Sequence, residues 1–249
     1  MKALASDFDG TLYFMNEVVH IKEKDIEAIQ RFQKQGHYFG LCTGRPIHCI
    51  EKEVFEKIQF DFYILSTGSL ILDKHFHKIY EKLLKKDIMI DLYEQYHMDY
   101  HVFIQANQYV YFVSDHQAND IEQVLISDIH EIDHASIYGV SIDAFNEENA
   151  HRIANDIRRQ FPDDVEVFVN VKDVDIVSKG CHKGEALKIY KEKKNIDLMC
   201  GIGDSYNDIP MLNYADLSFT FYRSPQSVQD MANKLVYDIS EAIDYVEQF

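Results

Sequence analysis

Asp7-Phe8-Asp9-Gly10-Thr11 sets two carboxylates two residues apart, directly after the short apolar run Ala3-Leu4-Ala5. In a strand, residues two apart point to the same side, so both acids project from the strand's carboxyl end. Gly10 lets the chain turn there at no steric cost. Neighbouring carboxylates repel each other and draw in a cation, and a hard cation such as Mg²⁺ takes oxygen ligands. A second acidic stretch, Gly201-Ile202-Gly203-Asp204-Ser205-Tyr206-Asn207-Asp208, follows the apolar run Leu198-Met199-Cys200. Asp204 can supply another metal carboxylate from a neighbouring strand end, and Asp208 lies four residues on, at helical spacing. Ser205 or Asp204 is placed to cap a helix that continues through Pro210, whose missing N–H is not needed in a first turn.

Two elements suited to phosphate lie between these stretches. Thr43-Gly44-Arg45 follows the apolar run Tyr38 to Cys42. A threonine hydroxyl and backbone N–H groups at a strand-to-helix turn suit a phosphate oxygen. Lys183-Gly184-Glu185 places a lysine at a helix start, where it acts as a point charge on phosphate. Taken singly, each has a plain structural explanation, since a lysine before a helix is ordinarily just solvated.

The elements that must position these groups alternate along the first part of the chain. Lys22 to Gln35 reads as a helix, Pro46 to Ile58 as a second with Ile47, Ile50, Val54 and Ile58 at helical spacing, and Asp61 to Ser66 as a strand. Short apolar strands alternating with helices predict a parallel, doubly wound α/β sheet. The pattern then changes. Lys86 to His97 reads as a helix, and His101 to Ala106 with Tyr109 to Val113 as a hairpin about Asn107-Gln108. Gln117 to Ile126 reads as a helix and Ser136 to Ala144 as a strand. Glu147 to Phe161 reads as a helix, and Val165 to Asn170 with Val174 to Val177 as a last hairpin. That order, αββαβαββ, predicts an α+β domain over residues 84–178, inserted into a Rossmann-like core made of residues 1–83 and 179–249. Strands near Cys200, Phe219 and Val236 complete the core.

The 249 residues carry 25 Lys and Arg against 42 Asp and Glu, a net charge of −17. Such acidity disfavours nucleic-acid or anionic-membrane partners. It also means that an anionic substrate needs a local positive site, which Mg²⁺, Lys183 and Arg45 are expected to provide. Cys42, Cys49, Cys181 and Cys200 show no C-x-x-C spacing, and the chain enters its first motif with no signal-peptide pattern, so a reducing, cytoplasmic setting is expected. No apolar run approaches the length of a membrane span.

In this order the four stretches resemble the motifs of the haloacid dehalogenase-like phosphohydrolase superfamily. Asp7 to Thr11 matches its first motif, Thr43 its second, Lys183 its third and Gly203 to Asp208 its fourth. Gly203 to Leu212 is most similar to the Cof-type branch, whose α/β cap of the C2 type lies between the second and third motifs. Two places depart from that branch. Thr67-Gly68 stands where the branch usually has Asn-Gly, and Leu217 to Pro225 replaces a Gly-Val-Ala-Met-type strand with its Asn-Ala pair.

The resemblance implies a Mg²⁺-dependent phosphatase of small phosphorylated metabolites that works through an aspartyl-phosphate. It gives Asp7 the role of nucleophile and Asp9 that of general acid and base. Thr43, Gly44 and Lys183 would hold the phosphoryl oxygens, and Asn207 would orient Lys183 or the phosphate. The metal would sit on the Asp7 carboxylate, the Asp9 carbonyl and Asp204, with Asp208 binding through water or orienting ligands. Two rivals on the same fold are a phosphotransferase or mutase, and a non-catalytic sensor of a phosphorylated ligand; a sensor has no use for paired aspartates.

Overall fold

The structure is a computed structural model that describes residues 1–119 and 121–249. The chain divides into two compact units. Met1–Gly44, Glu51–Tyr80 and His182–Phe249 form the first, and Arg45–Ile50 with Glu81–Cys181 the second.

The first unit opens with β1 (Lys2–Ser6), α1 (Glu23–Lys34), β2 (Tyr38–Cys42), α2 (Lys52–Lys57), β3 (Phe62–Leu65), β4 (Leu70–Asp73) and β5 (Lys78–Glu81). The second unit follows with α3 (Lys86–Tyr96), β6 (His101–Ala106), β7 (Tyr109–Val113), β8 (Val124–Ile126), β9 (Ile137–Asp143), α4 (Glu147–Gln160), β10 (Val165–Asn170) and β11 (Asp173–Ser178). The chain then returns to the first unit through α5 (Lys183–Lys194), β12 (Leu198–Ile202), α6 (Ile209–Tyr214), β13 (Leu217–Phe221), α7 (Gln226–Gln229), β14 (Lys234–Val236) and α8 (Ile239–Glu247).

The first unit's sheet runs β14-β13-β12-β1-β2-β3-β4-β5. From β14 to β3 every pair is parallel, and β4 turns back antiparallel on β3. Strands buried on both faces need continuous apolar runs. Ala3, Leu4 and Ala5 of β1 and Phe62, Tyr63, Ile64 and Leu65 of β3 are all buried accordingly. The strand order reverses at β1, because β2 and β3 build outward on one side and β12, β13 and β14 on the other. The predicted doubly wound α/β core is therefore present, with its topological switch point between β1 and β12. Ser6 pairs with Ile202 there, and the Asp7 N–H extends the ladder to the Ile202 carbonyl at 2.9 Å.

The helix read over Pro46 to Ile58 is corrected. A 3₁₀ turn spans Ile47–Cys49, Ile50 and Glu51 are extended, and only Lys52–Lys57 is α-helical. Cys49 is buried with Phe103 and Val110 in the second unit, whereas Val54 and Ile58 are buried with the first. One apolar period serves two cores, so it cannot run as one straight helix.

The second unit's sheet runs β10-β11-β9-β6-β7-β8. Leu92 of α3 and Ile153 of α4 share one core with Ile104, Val140 and Ile176 of the sheet. Asn107 and Gln108 have φ +47° and +70°, the two-residue turn that matches strand twist, so the predicted β6–β7 hairpin stands. The helix expected over Gln117 to Ile126 is overturned among the described residues; Asp120 lies outside them. Gln123 instead takes the Ala118 N–H at 3.0 Å and donates to Asn119 Oδ1 and the Ile121 carbonyl. These local side-chain bonds compete with helical ones. Val124–Ile126 then adds as β8, parallel to β7.

Candidate active site

Asp7 and Thr43 directly follow the last residues of the parallel strands β1 and β2, and Asp204 lies two residues past the end of β12. Lys183 opens α5 behind the His182 cap, whose Nδ1 accepts the Glu185 N–H at 3.0 Å. Its side chain is wholly buried, contrary to the solvated lysine that the local sequence suggests. Lys183 Nζ donates to Asp7 Oδ1 and to Asp208 Oδ1, both at 2.6 Å. Burial disfavours the ammonium, but Asp208 and Asp7 outweigh that and hold its pKa well above the ordinary lysine range.

Asp208 is the organising group. Its Oδ1 faces Lys183, and its Oδ2 accepts the Asp204 and Ser205 N–H groups at 3.0 Å each. The turn Tyr206–Asp208 is 3₁₀, and α6 follows with Pro210 in its first turn, as its sequence predicts. Gly203 is required because a Cβ there would lie 2.6 Å from Asp208 Oδ2. Asn207 does not reach Lys183; its Oδ1 accepts the Ser205 hydroxyl at 2.7 Å. Orienting the lysine falls to Asp208.

Gly10 has φ +75°, and a Cβ on it would meet Asp204 Oδ2 at 2.8 Å, so the turn needs glycine on both counts. Thr11 Oγ1 donates to Asp204 Oδ1 at 2.8 Å, tying the first motif to the fourth. Asp9 is exposed on this turn while Asp7 is buried. Thr43 is buried; its N–H donates to the Ile64 carbonyl and its carbonyl accepts the Thr67 N–H. Thr67, in the position where the branch has asparagine, sits in the left-handed region at φ 56°, and Ser66 before it at φ 48°. Gly44 adjoins it: a Cβ on Gly44 would lie 3.4 Å from Thr67 Oγ1.

Asp7, Asp204 and Asp208 each offer an oxygen within 4.8 Å of the others, the only such group of possible metal ligands among the described residues. The set is all carboxylate, with no sulfur or imidazole, which fits Mg²⁺. Burial, then Asp208, raise the Asp7 carboxyl well above its usual range against the opposing pull of Lys183. Burial, then Asp208, likewise raise Asp204, while the Thr11 hydrogen bond, Arg223 and Lys183 pull it back.

Arg223 is the basic residue that sequence reasoning missed here. It lies just past β13, donates to the Gly10 carbonyl, and holds its guanidinium 3.7 Å from the Phe221 ring centroid and 5.3 Å from that of Phe14. Arg45, expected to supply charge, belongs to the second unit and donates to the Cys49 carbonyl at 2.9 Å. The one available signal was negative: Leu217 to Pro225 is the stretch that departs from the resembled branch.

The profile of the haloacid dehalogenase-like hydrolases matches residues 4–243. The chain belongs to this family. It is 25% identical to the putative phosphatase YxeH of Bacillus subtilis over 260 residues, covering 93% of this chain and 91% of that one. It is 22% identical to the B. subtilis 5-amino-6-(5-phospho-D-ribitylamino)uracil phosphatase YitU, covering 93% and 90%. A haloacid dehalogenase-like hydrolase from Bacteroides thetaiotaomicron superposes with a TM-score of 0.85 at 19% identity, covering 98% of this chain and 99% of that one. A subclass IIB sugar phosphatase of the superfamily superposes at 0.83 and 20% identity over the whole of both chains. These two likenesses establish a shared fold. Among the described residues of this hydrolase, no helix is long and apolar enough to cross a membrane.

Proposed function

We propose that the protein is a Mg²⁺-dependent phosphatase of small phosphorylated metabolites, acting through an aspartyl-phosphate. The observation that carries this reading is the buried Lys183 ammonium, held between Asp7 and Asp208 at 2.6 Å. A wholly buried lysine fixed on the would-be nucleophile suits binding of a phosphoryl group more than fold stability, since a buried ion pair gains little over apolar packing. The family membership and the phosphatase relatives point the same way.

In this reading the Asp7 carboxylate attacks phosphorus and forms an acyl-phosphate bond as the ester P–O bond breaks. Asp9, exposed on the turn, gives its proton to the leaving oxygen. It then takes a proton from a water that attacks the same phosphorus, releasing inorganic phosphate and restoring Asp7. Lys183 and Thr43, with the Gly44 backbone, hold the phosphoryl oxygens in line. Asp7, Asp204 and the Asp9 carbonyl would hold Mg²⁺, with Asp208 fixing the loop that carries Asp204. The bound ion supplies positive charge that offsets the phosphoryl oxygens in a chain of net charge −17.

All of these groups lie in the first unit, which is therefore proposed as the catalytic core. The second unit, the proposed cap, is left with substrate selection. The test is phosphate release from a panel of about a hundred phosphorylated metabolites with Mg²⁺, a size chosen to span the ligand classes that such sites accept. Release without any added alcohol acceptor supports a hydrolase. Release only with an acceptor, or none from any ester, refutes it.

A further inference from the structure

Both peptide groups of the conformationally loose Gly10 are tied. Its N–H donates to the Tyr13 carbonyl at 2.9 Å, and its carbonyl accepts from Arg223. The Arg223 guanidinium carbon lies 3.7 Å from the Phe221 ring centroid and 5.3 Å from that of Phe14, so the clamp is braced by aromatic contacts in a way that a flexible lysine would not match. Gly10 also packs against Asp204, since a Cβ on it would lie 2.8 Å from Asp204 Oδ2, so the Arg223 guanidinium and the Asp204 carboxylate both border this one residue. Arg223 stands in the stretch that lacks the Asn-Ala pair of the branch the sequence resembles.

We propose that Arg223 is a positioning residue with two separable effects. Its hydrogen bond to the Gly10 carbonyl fixes the turn that aims Asp9. Its charge, set beside Asp204, limits how tightly the carboxylate cluster holds a divalent cation. The first effect rests on the phosphatase reading; the second does not. Misplacing a catalytic group by about 1 Å costs on the order of a hundredfold in rate, so losing the clamp has a measurable effect. Removing a fixed positive charge near a metal carboxylate strengthens cation binding by electrostatics alone.

Two variants separate the effects. Arg223→Lys keeps the charge and loses the fork and the guanidinium–ring contact. Arg223→Met keeps length and apolar packing and loses both charge and clamp. Mg²⁺ binding to each is measured by calorimetry and thermal shift with the metal alone. Turnover of p-nitrophenyl phosphate is measured at saturating Mg²⁺. Arg223→Met should bind Mg²⁺ about three- to tenfold more tightly than Arg223→Lys, the effect of roughly one screened charge near the site. Both should lose at least about tenfold in kcat with KM little changed, as expected when positioning rather than binding is lost. Equal Mg²⁺ affinity in the two variants overturns the charge effect. A kcat for Arg223→Lys within threefold of the parent overturns the clamp. If the parent hydrolyses no ester, the phosphatase reading and the clamp's role in it fail together, while the Mg²⁺ comparison still decides the charge effect.

Discussion

Asp208→Asn tests the organising role of the fourth-motif acid. The substitution keeps size and leaves one oxygen and one amide nitrogen where two oxygens stood. In the parent, Oδ2 accepts the Asp204 and Ser205 N–H groups and Oδ1 accepts from Lys183. The amide oxygen can serve one side only. If it keeps the two backbone donors, the NH₂ group faces Lys183 Nζ across what was a 2.6 Å bond, donor against donor. Stripping one partner from a buried pair costs about 3–5 kcal/mol. Two features reduce that figure here. Lys183 keeps Asp7, and the like-charge pressure of Asp208 on Asp7 and Asp204 disappears. A net loss of about 2–3 kcal/mol is expected, which for a chain of this size lowers Tm by roughly 5–10 °C. The assay is thermal or urea unfolding in EDTA, with Asn207→Asp as a neighbouring control. A Tm within 1 °C of the parent would show that Lys183 does not depend on Asp208, and the argument would fail.

Asp7→Asn should abolish phosphate release and leave the fold intact, because an amide is nearly isosteric but a poor nucleophile; turnover within tenfold of the parent refutes the covalent step. Exhaustive chelation should remove activity and Mg²⁺ restore it, and Ca²⁺ should substitute poorly because its looser coordination misplaces the attacking carboxylate. Thr67→Asn should raise stability by about 1 kcal/mol in urea unfolding, since a β-branched residue at φ 56° is strained where asparagine is tolerated; a destabilised variant would show that the Thr67 hydroxyl matters more. Asp25 is buried, and burial raises its carboxyl to about 6 despite the Ser240 N–H it accepts. The folded state therefore keeps a proton that the unfolded state, at 3.8, has lost, so stability falls as pH rises from about 4 to 6 and the deficit persists above. The deficit is at most about 3 kcal/mol; Asp25→Asn should flatten that part of the stability–pH curve, and an unchanged slope rules the assignment out.

The sequence by itself determined the framework and singled out the candidate site residues. The Asp7–Asp9 and Asp204–Asp208 spacings, each after an apolar run, place carboxylates at strand ends, and strand–helix alternation gives the doubly wound core. These signals are local, and local periodicity is legible in a single chain. Only the tertiary structure decided what depends on distant partners. The local sequence around Lys183 is that of a solvated lysine, and its burial against Asp7 depends on closing 176 positions of chain separation. Arg223 lies 213 positions from Gly10, and only the adjacency of β1, β12 and β13 brings them together. The segment Arg45–Ile50 follows Thr43 without a compositional break, yet it packs with the second unit, because burial of Cys49 against Phe103 and Val110 overrides the helical period that runs through it. A helix period records which residues seek burial; it does not record which core receives them, since that is fixed by contacts far away along the chain.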